Sequence, residues 1–441
     1  MLFRSLSVDT YFSTLIISLV IGFGLFYYGK NSTKNINFID QLILIIISYF
    51  LTATLIAIPF YLSNYQVTFL NSIFESISGL TGTGFSIFKD IKYLDPTLIL
   101  WRSSSQWIGG LFFLFFLIII FSNKSFNFKL TNLTYAGENN LNSEIVIKEN
   151  LLKIFIIYST LSIIILTLFS FSGVRLYNSL NMSMTLVSGG GFLPTDNISK
   201  IISTNLQKII FIFSLLISML NFYLFFNLFN KNALIKEHKE DFYLTILCII
   251  FCILIYFNNF EGLDIIISVV SSLANSGLTL IDTDNNLSLY FLLITIVGGS
   301  LISNSSGIKL TRFYILLKIT SLEIIKLISP NSIINKTIFK SDKKISEDNV
   351  RISFLIFISF FVSLFILSSF LVFDSIGFEK SFKLSILTLT NTVNSEMFNL
   401  QNLNFSNLLT SSKISLILFM IIGKIELISI FLIFKKIFFK D

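Results

Sequence analysis

The chain has 441 residues, of which 54% are apolar and only 13% are charged, and its formal net charge is +7. This apolar fraction is too high for a soluble protein of this length. The basic residues stand between apolar stretches, so orientation in a bilayer explains the positive charge better than binding to nucleic acid. The composition therefore predicts one membrane-embedded domain and no nucleic-acid partner.

Apolar stretches long enough to cross a bilayer recur along the chain, since a span needs about 20 mostly apolar residues. They lie at about 11–29, 41–62, 98–121, 152–171, 207–229, 242–258, 288–318, 351–373 and 414–438. The first follows Arg4 but exceeds the apolar region of a signal peptide, and no small-x-small cleavage site follows it, so we expect a retained span. The pattern predicts an all-α integral membrane protein of about nine spans.

Segments between alternate pairs of spans share one design. Each has a short semi-polar helical stretch, a cluster of Gly, Ser, Thr and Asn, and a polar exit. The clusters are SGLTGTGFS at 78–86, VSGGGFL at 187–193, SLANSGLT at 272–279 and LTNTVNS at 389–395. This is a divergent internal repeat of span, half-helix, loop and span. It divides the chain into an extra N-terminal span at 1–37 and four pore repeats at 38–125, 150–232, 240–322 and 350–441.

Lysine and arginine are unevenly distributed between the loops. Cluster-free loops are basic, as at 309–344, whereas the cluster-bearing segment 259–287 has no Lys or Arg. The positive-inside rule then places all four clusters on the outer side and the C-terminus in the cytoplasm.

The clusters suit a path for a dehydrated cation. Non-helical backbone persists at membrane depth only inside protein or beside water, and glycine permits successive carbonyls to point the same way. Four such loops in pseudo-fourfold arrangement around one pore can replace the hydration shell of a cation. Each preceding half-helix directs its negative C-terminal end toward the ion. The alternative is that the clusters are ordinary helix-breaking external turns.

Four ordered motifs resemble those of the Trk/Ktr/HKT superfamily of potassium transporters, and more closely its bacterial TrkH branch. Segment 74–84 looks like the first pore helix and filter, 101–110 is similar to the signature of the next span, and 298–309 looks like the Gly/Ser-rich intramembrane gate. Segment 423–427 is similar to a Gly-Arg-x-Glu motif, with Lys424 where Arg is common. The resemblance runs from about residue 40 to the C-terminus.

The resemblance implies a potassium-uptake protein, not an enzyme, that spans the bacterial plasma membrane many times. Gly84, Gly191 and Gly277 would be filter glycines. The implied ion filter comprises Thr81, Gly82, Thr83, Gly84, Ser188, Gly189, Gly190, Gly191, Asn275, Ser276, Gly277, Asn391, Thr392 and Val393. Potassium, as the substrate, would bind at Gly82, Thr83, Gly189, Gly190, Asn275, Ser276, Asn391 and Thr392.

The fourth filter position departs from the pattern, because Val393 stands where the other loops have glycine. Valine is stiff and disfavours positive φ, so one quarter of the ring is expected to differ. A sodium-permeable or weakly selective transporter of the same fold therefore remains an alternative, and the choice between channel and symport stays open.

Segment 298–307 interrupts a long apolar stretch with residues that hold a helix poorly. It predicts either a flexible constriction under the filter or a plain kink. The implied gate comprises Gly298, Gly299, Ser303, Asn304, Ser305, Ser306, Gly307 and Lys424. Lys424 and Glu426 are ionisable residues in an apolar span, and such residues are functional candidates by default. Lys424 either opposes cation flow below the filter or forms a structural ion pair.

Two more charged residues are candidates for a structural role. We expect Glu75, in the first pore helix, to cap or brace nearby backbone. Arg102 lies near a span end, where it either extends to the interface or acts inside the protein.

Other classes of function fit less well. A secondary carrier with broken helices would need acidic residues in its spans, and Glu426 is nearly alone. A membrane enzyme would need clustered acids, His or Cys, yet His238 is the single histidine. Cys248 and Cys252, one turn apart, are interpreted as small buried apolar residues.

The cofactor and partner predictions follow from the same residues. No nucleotide-binding fingerprint occurs, and no covalently bound cofactor is expected. The resemblance implies a homodimer in membrane lipid and a cytosolic nucleotide-binding regulatory subunit, for which the basic loop at 309–350 is a candidate docking surface.

Overall fold

The computed structural model describes residues 8–32, 38–121, 144–229, 239–256, 262–281, 285–329, 337–339, 345–400 and 403–425. The predicted all-α architecture is confirmed for these ranges, which contain 15 α-helices. They are α1 (Val8–Gly29), α2 (Phe38–Tyr61), α3 (Phe69–Thr81), α4 (Pro96–Phe121), α5 (Glu144–Phe171), α6 (Leu176–Val187), α7 (Asn205–Met219), α8 (Phe222–Phe229), α9 (Lys239–Tyr256), α10 (Gly262–Leu273), α11 (Asn285–Val297), α12 (Leu310–Ile328), α13 (Glu347–Phe373), α14 (Phe378–Leu389) and α15 (Thr410–Ile425).

Several helices are long and apolar enough to cross a bilayer. By length and composition the described residues contain 4 such helices, at Val8–Gly29, Asp40–Tyr61, Leu151–Phe171 and Glu347–Phe373. Large apolar side chains such as Ile163, Phe365 and Phe370 remain exposed on them. Exposed apolar surface of this kind needs an apolar environment, which a lipid bilayer supplies. These helices are those of an integral membrane protein.

A short helix follows a long one in the same order four times. The short helices α3, α6, α10 and α14 have 13, 12, 12 and 12 residues. At about 1.5 Å per residue, each is long enough for only part of a bilayer. Their buried C-terminal ends lead into the four predicted clusters. The repeat boundaries and the total of nine spans remain predictions.

The stretch predicted as one span at 207–229 is two helices. Helix α7 ends at Met219, Leu220 is extended with φ −76° and ψ 161°, and α8 begins at Phe222. The side chain of Asn221 accepts a bond from the Tyr223 amide at 3.0 Å. An asparagine side chain at this position is a typical N-cap and starts a new helix, so the apolar run bends there.

The stretch predicted at 288–318 is likewise divided. Helix α11 ends at Val297 and α12 begins at Leu310, with non-helical backbone between them. Gly298, Gly307 and Lys309 in this segment have positive φ values of 70°, 81° and 75°. An α-helix cannot continue through such residues, so the predicted interruption is present. The last predicted span is described only as far as Ile425, and its remainder lies outside the described residues.

Two glycines let later helices touch the ends of short helices. A β-carbon built on Gly109 in α4 would lie 1.9 Å from the Leu80 carbonyl oxygen, and one on Gly423 in α15 would lie 2.4 Å from that of Leu389. Any side chain at either position would therefore clash with backbone. The contacts fix the last turns of α3 and α14, from which two of the predicted clusters emerge.

Candidate functional site

The chain reverses direction in the same way after every short helix. Within two residues of each helix end stands a residue with a positive φ, and its amide donates to the carbonyl three residues earlier. These residues are Gly82 (φ 80°), Gly189 (φ 70°), Asn275 (φ 59°) and Asn391 (φ 50°). Glycine adopts this conformation freely, and asparagine is the residue that next best tolerates it. The predicted filter positions Gly84, Gly191, Gly277 and Val393 each follow two residues later.

The next amides in the loops bond back to their own short helices. The amide of Gly190 donates to Thr185 O at 2.9 Å, that of Ser276 to Ser271 O at 3.0 Å, and that of Thr392 to Leu387 O at 2.9 Å. The N–H and C=O of a trans peptide point to opposite sides. The carbonyls of Gly189, Asn275 and Asn391 therefore point away from their short helices. In the first loop, the Gly84 amide donates to Ser78 O at 3.3 Å, so the Thr83 carbonyl likewise points away from α3.

We call residues 82–86, 188–193, 274–279 and 390–395 loops 1 to 4. Each loop touches the next, and loop 4 touches loop 1, so together they form a closed ring. A β-carbon on Gly84 would lie 3.2 Å from Gly191 Cα, one on Gly191 would lie 3.0 Å from Ser276 O, one on Gly277 would lie 2.9 Å from Val393 O, and Asn391 Nδ2 donates to Thr83 Oγ1 at 3.0 Å. The structure thus brings the predicted filter residues of all four loops together.

One cavity, which we call the vestibule, opens over this ring. Its volume is about 700 Å³, and every loop contributes to its lining, for example through Gly84, Gly191, Leu278 and Val393. The four turn residues Gly82, Gly189, Asn275 and Asn391 are not among its lining. The ring therefore has a vestibule face and an opposite face, and the two faces expose different residues.

Segment 298–309, which we call the gate segment, lies against the opposite face. Asn304 Nδ2 donates to Val187 O at 2.9 Å, at the end of α6. The Ser306 amide donates to Asn275 Oδ1 at 3.1 Å, and Ser306 Oγ donates to Asn391 Oδ1 at 2.9 Å. The two asparagines that shape loops 3 and 4 therefore also hold the gate segment.

A lysine within the gate segment ties it into a compact turn. The Lys309 side chain is 2% exposed, and its ammonium donates to Ser303 O at 3.2 Å and to Ser305 O. The hydroxyls of Ser303 and Ser305 lie 2.7 Å apart, and Ser305 Oγ accepts a bond from the Gly299 amide at 3.1 Å. The sequence-based gate set omitted Lys309.

Two acidic residues at the start of α9 hold the other side of the gate segment. Glu240 Oε1 accepts a bond from the Leu301 amide at 2.9 Å. Asp241 Oδ1 accepts bonds from Ser300 Oγ at 2.8 Å and from the Asn221 amide at 2.9 Å. The pair thus joins the break between α7 and α8 to the gate segment. Sequence reasoning missed both residues, although consecutive acids at the edge of an apolar span are a signal that could have found them.

Lys424 lies between the gate segment and the ring. Its side chain is 4% exposed, and Nζ donates to Asn304 O at 2.8 Å. The ammonium also lies 4.6 Å from the centre of the Phe113 ring and 3.9 Å from the point where a β-carbon would stand on Gly82. A positive charge is therefore held against the face of the ring away from the vestibule. Glu426, the other charged residue predicted in this span, lies outside the described residues.

Glu75 braces loop 1 from inside the protein. Its carboxylate forms a buried ion pair with Arg102 Nε at 2.8 Å and accepts a bond from the Ile87 amide at 2.8 Å, just beyond the loop. This is the backbone-bracing position expected for Glu75. Arg102 is only 1% exposed, and its guanidinium lies 4.1 Å from the centre of the Phe192 ring. Arg102 therefore acts inside the protein and does not extend to an interface.

A glutamine in α4 supports loop 2 in a similar way. Gln106 Oε1 accepts a bond from the Phe192 amide at 3.1 Å, and a β-carbon on Gly190 would lie 2.2 Å from the same oxygen. The buried hydroxyls of Thr81 and Ser188 bond to the carbonyls of Ile77 and Thr185. The side chains of those two predicted filter residues thus bond within the last turns of α3 and α6. Gln106 was missed because its partner lies 86 residues away in sequence.

Comparisons with known proteins agree with this architecture. No protein-family model matches the chain. The Trk system potassium uptake protein TrkG of Escherichia coli is 26% identical over 100% of this chain and 93% of its own length. An uncharacterized cation transporter of Methanocaldococcus jannaschii is 25% identical over 98% of this chain and 90% of its own. The crystal structure of the potassium transporter TrkH from Vibrio parahaemolyticus superposes with a TM-score of 0.82, 19% identity, and coverage of 98% and 92%.

The fold and these relatives define an all-helical integral membrane protein. The predicted resemblance to Trk-type proteins, and to their TrkH branch, is confirmed over essentially the whole chain.

Removal of the Glu75 carboxylate tests the brace. Glu75→Ala leaves the Arg102 charge buried without its ion-pair partner, and we expect a loss of about 3–5 kcal/mol in the free energy of unfolding. Thermal unfolding of the purified protein in detergent measures the change. Glu323→Ala is the matched control, because it breaks an exposed pair with Lys326 and should cost about 0.2–1 kcal/mol. Equal shifts for the two variants would contradict the bracing role.

Proposed function

We propose that this protein takes up potassium ions across the bacterial plasma membrane, through the ring of four loops. The observation that carries the proposal is the closed set of contacts between loops 1 to 4 beneath a single vestibule. Peptide carbonyls turned away from four short helices supply oxygen ligands of the kind that replace water around a monovalent cation.

The electrostatics of the ring favour a cation. Four helix C-termini converge on it, and each carries a partial negative charge of about half an elementary charge before screening. Loops 1 to 4 contain no charged side chain. Selection by partial charges suits a monovalent ion that must bind and then leave, whereas fixed carboxylates would hold it more tightly.

The identity of the ion rests on the relatives. TrkG and TrkH are named potassium uptake proteins, and they align over 100% of this chain. A weakly selective or sodium-permeable transporter is the second candidate, and Val393 favours it because loop 4 lacks the glycine of the other loops. An unrelated secondary carrier is disfavoured by the full-length similarity. Flow through a channel and symport are both candidate modes of transport.

Gating is proposed for the gate segment and Lys424. The segment bonds to Val187, Asn275 and Asn391 on the face of the ring opposite the vestibule, which we take as its inner face. Lys424 holds an ammonium against the same face. A cation leaving the ring inward would meet both. We therefore interpret this arrangement as a closed gate, whose opening requires the Ser306 and Lys424 bonds to break.

The proposal includes the partners that the resemblance implies. These are a second copy of the chain in membrane lipid and a cytosolic nucleotide-binding subunit that acts on the gate. The basic loop at 309–350 is the proposed docking surface, and part of it lies outside the described residues.

Ion uptake into vesicles tests the proposed function. Purified protein is reconstituted into lipid vesicles, and uptake of potassium, rubidium and sodium is compared with that of protein-free vesicles. We expect potassium and rubidium uptake to exceed sodium uptake clearly. Sodium uptake equal to or above potassium uptake would favour the second candidate, and no uptake of any of these ions would contradict the transport function.

Replacement of Lys424 tests the gate. Lys424→Met keeps the length of the side chain but removes the charge and the bond to Asn304 O, so we expect basal potassium uptake to rise about tenfold. Two unit charges even 10 Å apart repel by roughly 1.7 kcal/mol at an effective dielectric constant near 20.

The control for this variant is Lys413→Met on the same helix. Lys413 bonds to Asn71 Oδ1 and Ser406 O, both at 2.8 Å, and it does not contact the gate segment in these bonds. Uptake by Lys413→Met should match that of the unaltered protein. Unchanged uptake by Lys424→Met would remove Lys424 from the gate.

A further inference from the structure

The side chain of Val393 lies among the equivalent positions of the three other loops. A β-carbon on Gly191 would lie 2.5 Å from Val393 Cβ and 2.9 Å from its Cγ1. One on Gly84 would lie 3.1 Å from Val393 Cγ2, and one on Gly277 would lie 3.0 Å from Cγ1. The isopropyl group therefore faces all three filter glycines at once.

This set of contacts places the isopropyl group at the middle of the ring. The loops touch in the order 1, 2, 3, 4 and back to 1, so loop 2 stands opposite loop 4. A side chain on loop 4 that reached only its neighbours would contact Gly84 and Gly277. Val393 also reaches Gly191, and it must cross the centre of the ring to do so.

The backbone of Val393 does not adopt the positive φ that valine disfavours. Gly84 and Gly277 have φ values of 79° and 70°, but neither Gly191 nor Val393 is among the described residues with positive φ. The two opposed loops 2 and 4 therefore need no left-handed residue at this position. Loop 4 differs from loop 2 by the presence of a side chain rather than by a forced backbone conformation.

Val393 also lines the vestibule and is partly exposed to it. The gate segment and Lys424 lie on the other face of the ring, so Val393 cannot belong to the same barrier. An aliphatic group offers a passing cation no oxygen ligand, and apolar constrictions resist wetting. A valine side chain is also confined to few rotamers.

We infer that Val393 is a second, outer constriction, at which an ion must push the isopropyl group aside before it reaches the carbonyls of the ring. This inference rests on the proposed function. Val393 would limit the size and the hydration of the cations that enter the ring. Small monovalent cations that can lose water on one side pass, whereas larger alkali cations are held back. The inner gate controls when ions leave, whereas Val393 limits which ions enter and how fast.

A series of side-chain volumes at position 393 tests the inference. Val393→Ala and Val393→Gly remove the obstacle, and we expect potassium uptake into vesicles to rise about fivefold, because displacing a side chain from its rotamer costs on the order of 1 kcal/mol. Caesium uptake should rise more than potassium uptake, so that the caesium-to-potassium ratio increases. Val393→Ile should lower uptake of both ions.

The control is Leu403→Ala, which removes apolar volume from the wall of the vestibule and should leave uptake and the ion ratio unchanged. Size-exclusion chromatography in detergent checks that each variant is folded, and Val393→Gly substitutes for Val393→Ala if the latter fails.

Three results would overturn the inference. If the unaltered protein takes up potassium, but its rate and ion ratio do not respond to the volume at position 393, Val393 is not a constriction and the proposed function stands. If Leu403→Ala raises uptake as much as Val393→Ala, the effect belongs to the vestibule in general. If no folded variant takes up any alkali cation, the proposed function fails and this inference fails with it.

Discussion

The structure depends on where the peptide groups at the ends of four short helices direct their carbonyls. At membrane depth a carbonyl without a partner is costly, so it must either bond to protein or face a polar path. A left-handed residue just after each short helix settles the choice. An amide one or two residues later bonds back to the short helix, and the trans peptide then directs the preceding carbonyl to the other side. The ring, its vestibule and its inner face follow from this reversal.

In loops 3 and 4, asparagine forms side-chain hydrogen bonds that glycine cannot form. Asn275 and Asn391 adopt the left-handed conformation that Gly82 and Gly189 adopt in loops 1 and 2. Their amide side chains, in addition, bond to Ser306 of the gate segment and to threonine hydroxyls of neighbouring loops. The half of the ring built from loops 3 and 4 is therefore coupled to the gate segment by side chains. A movement of Ser306 would change the hydrogen bonds of the ring directly.

The sequence predicted much of the local structure, because the signals were local. Four clusters of small polar residues after short semi-polar stretches predicted the short helices and the loops. The Gly-rich interruption at 298–307 predicted the division of its span. The contacts that complete the site were not accessible in this way. Gln106 and Phe192 are 86 residues apart, and the Asp241–Ser300 bond spans 59 residues. Sequence patterns mark single segments and do not show which distant residue each side chain meets.

Val393 illustrates the same limit of sequence-based prediction in a different way. Its identity was visible in the sequence as a departure from glycine, and because valine disfavours positive φ, one quarter of the ring was predicted to differ. The structure places the consequence in the side chain instead, because loop 2 reaches the same position without a positive φ. Only the assembled ring reveals that a side chain on loop 4 meets the opposite loop. The break at Leu220 was hidden for a similar reason, since the residues around it are as apolar as a continuous span requires.

The central claim is that the carbonyls of loops 1 to 4 that point away from their short helices bind a monovalent cation between Val393 and Lys424. Crystals of the full-length protein grown in rubidium test it most directly, because rubidium can be located by its anomalous scattering. The account predicts a peak inside the ring, surrounded by carbonyl oxygens of Thr83, Gly189, Asn275 and Asn391 or of their neighbours. Rubidium found only outside the ring, or loops whose carbonyls turn away from a shared centre, would contradict it.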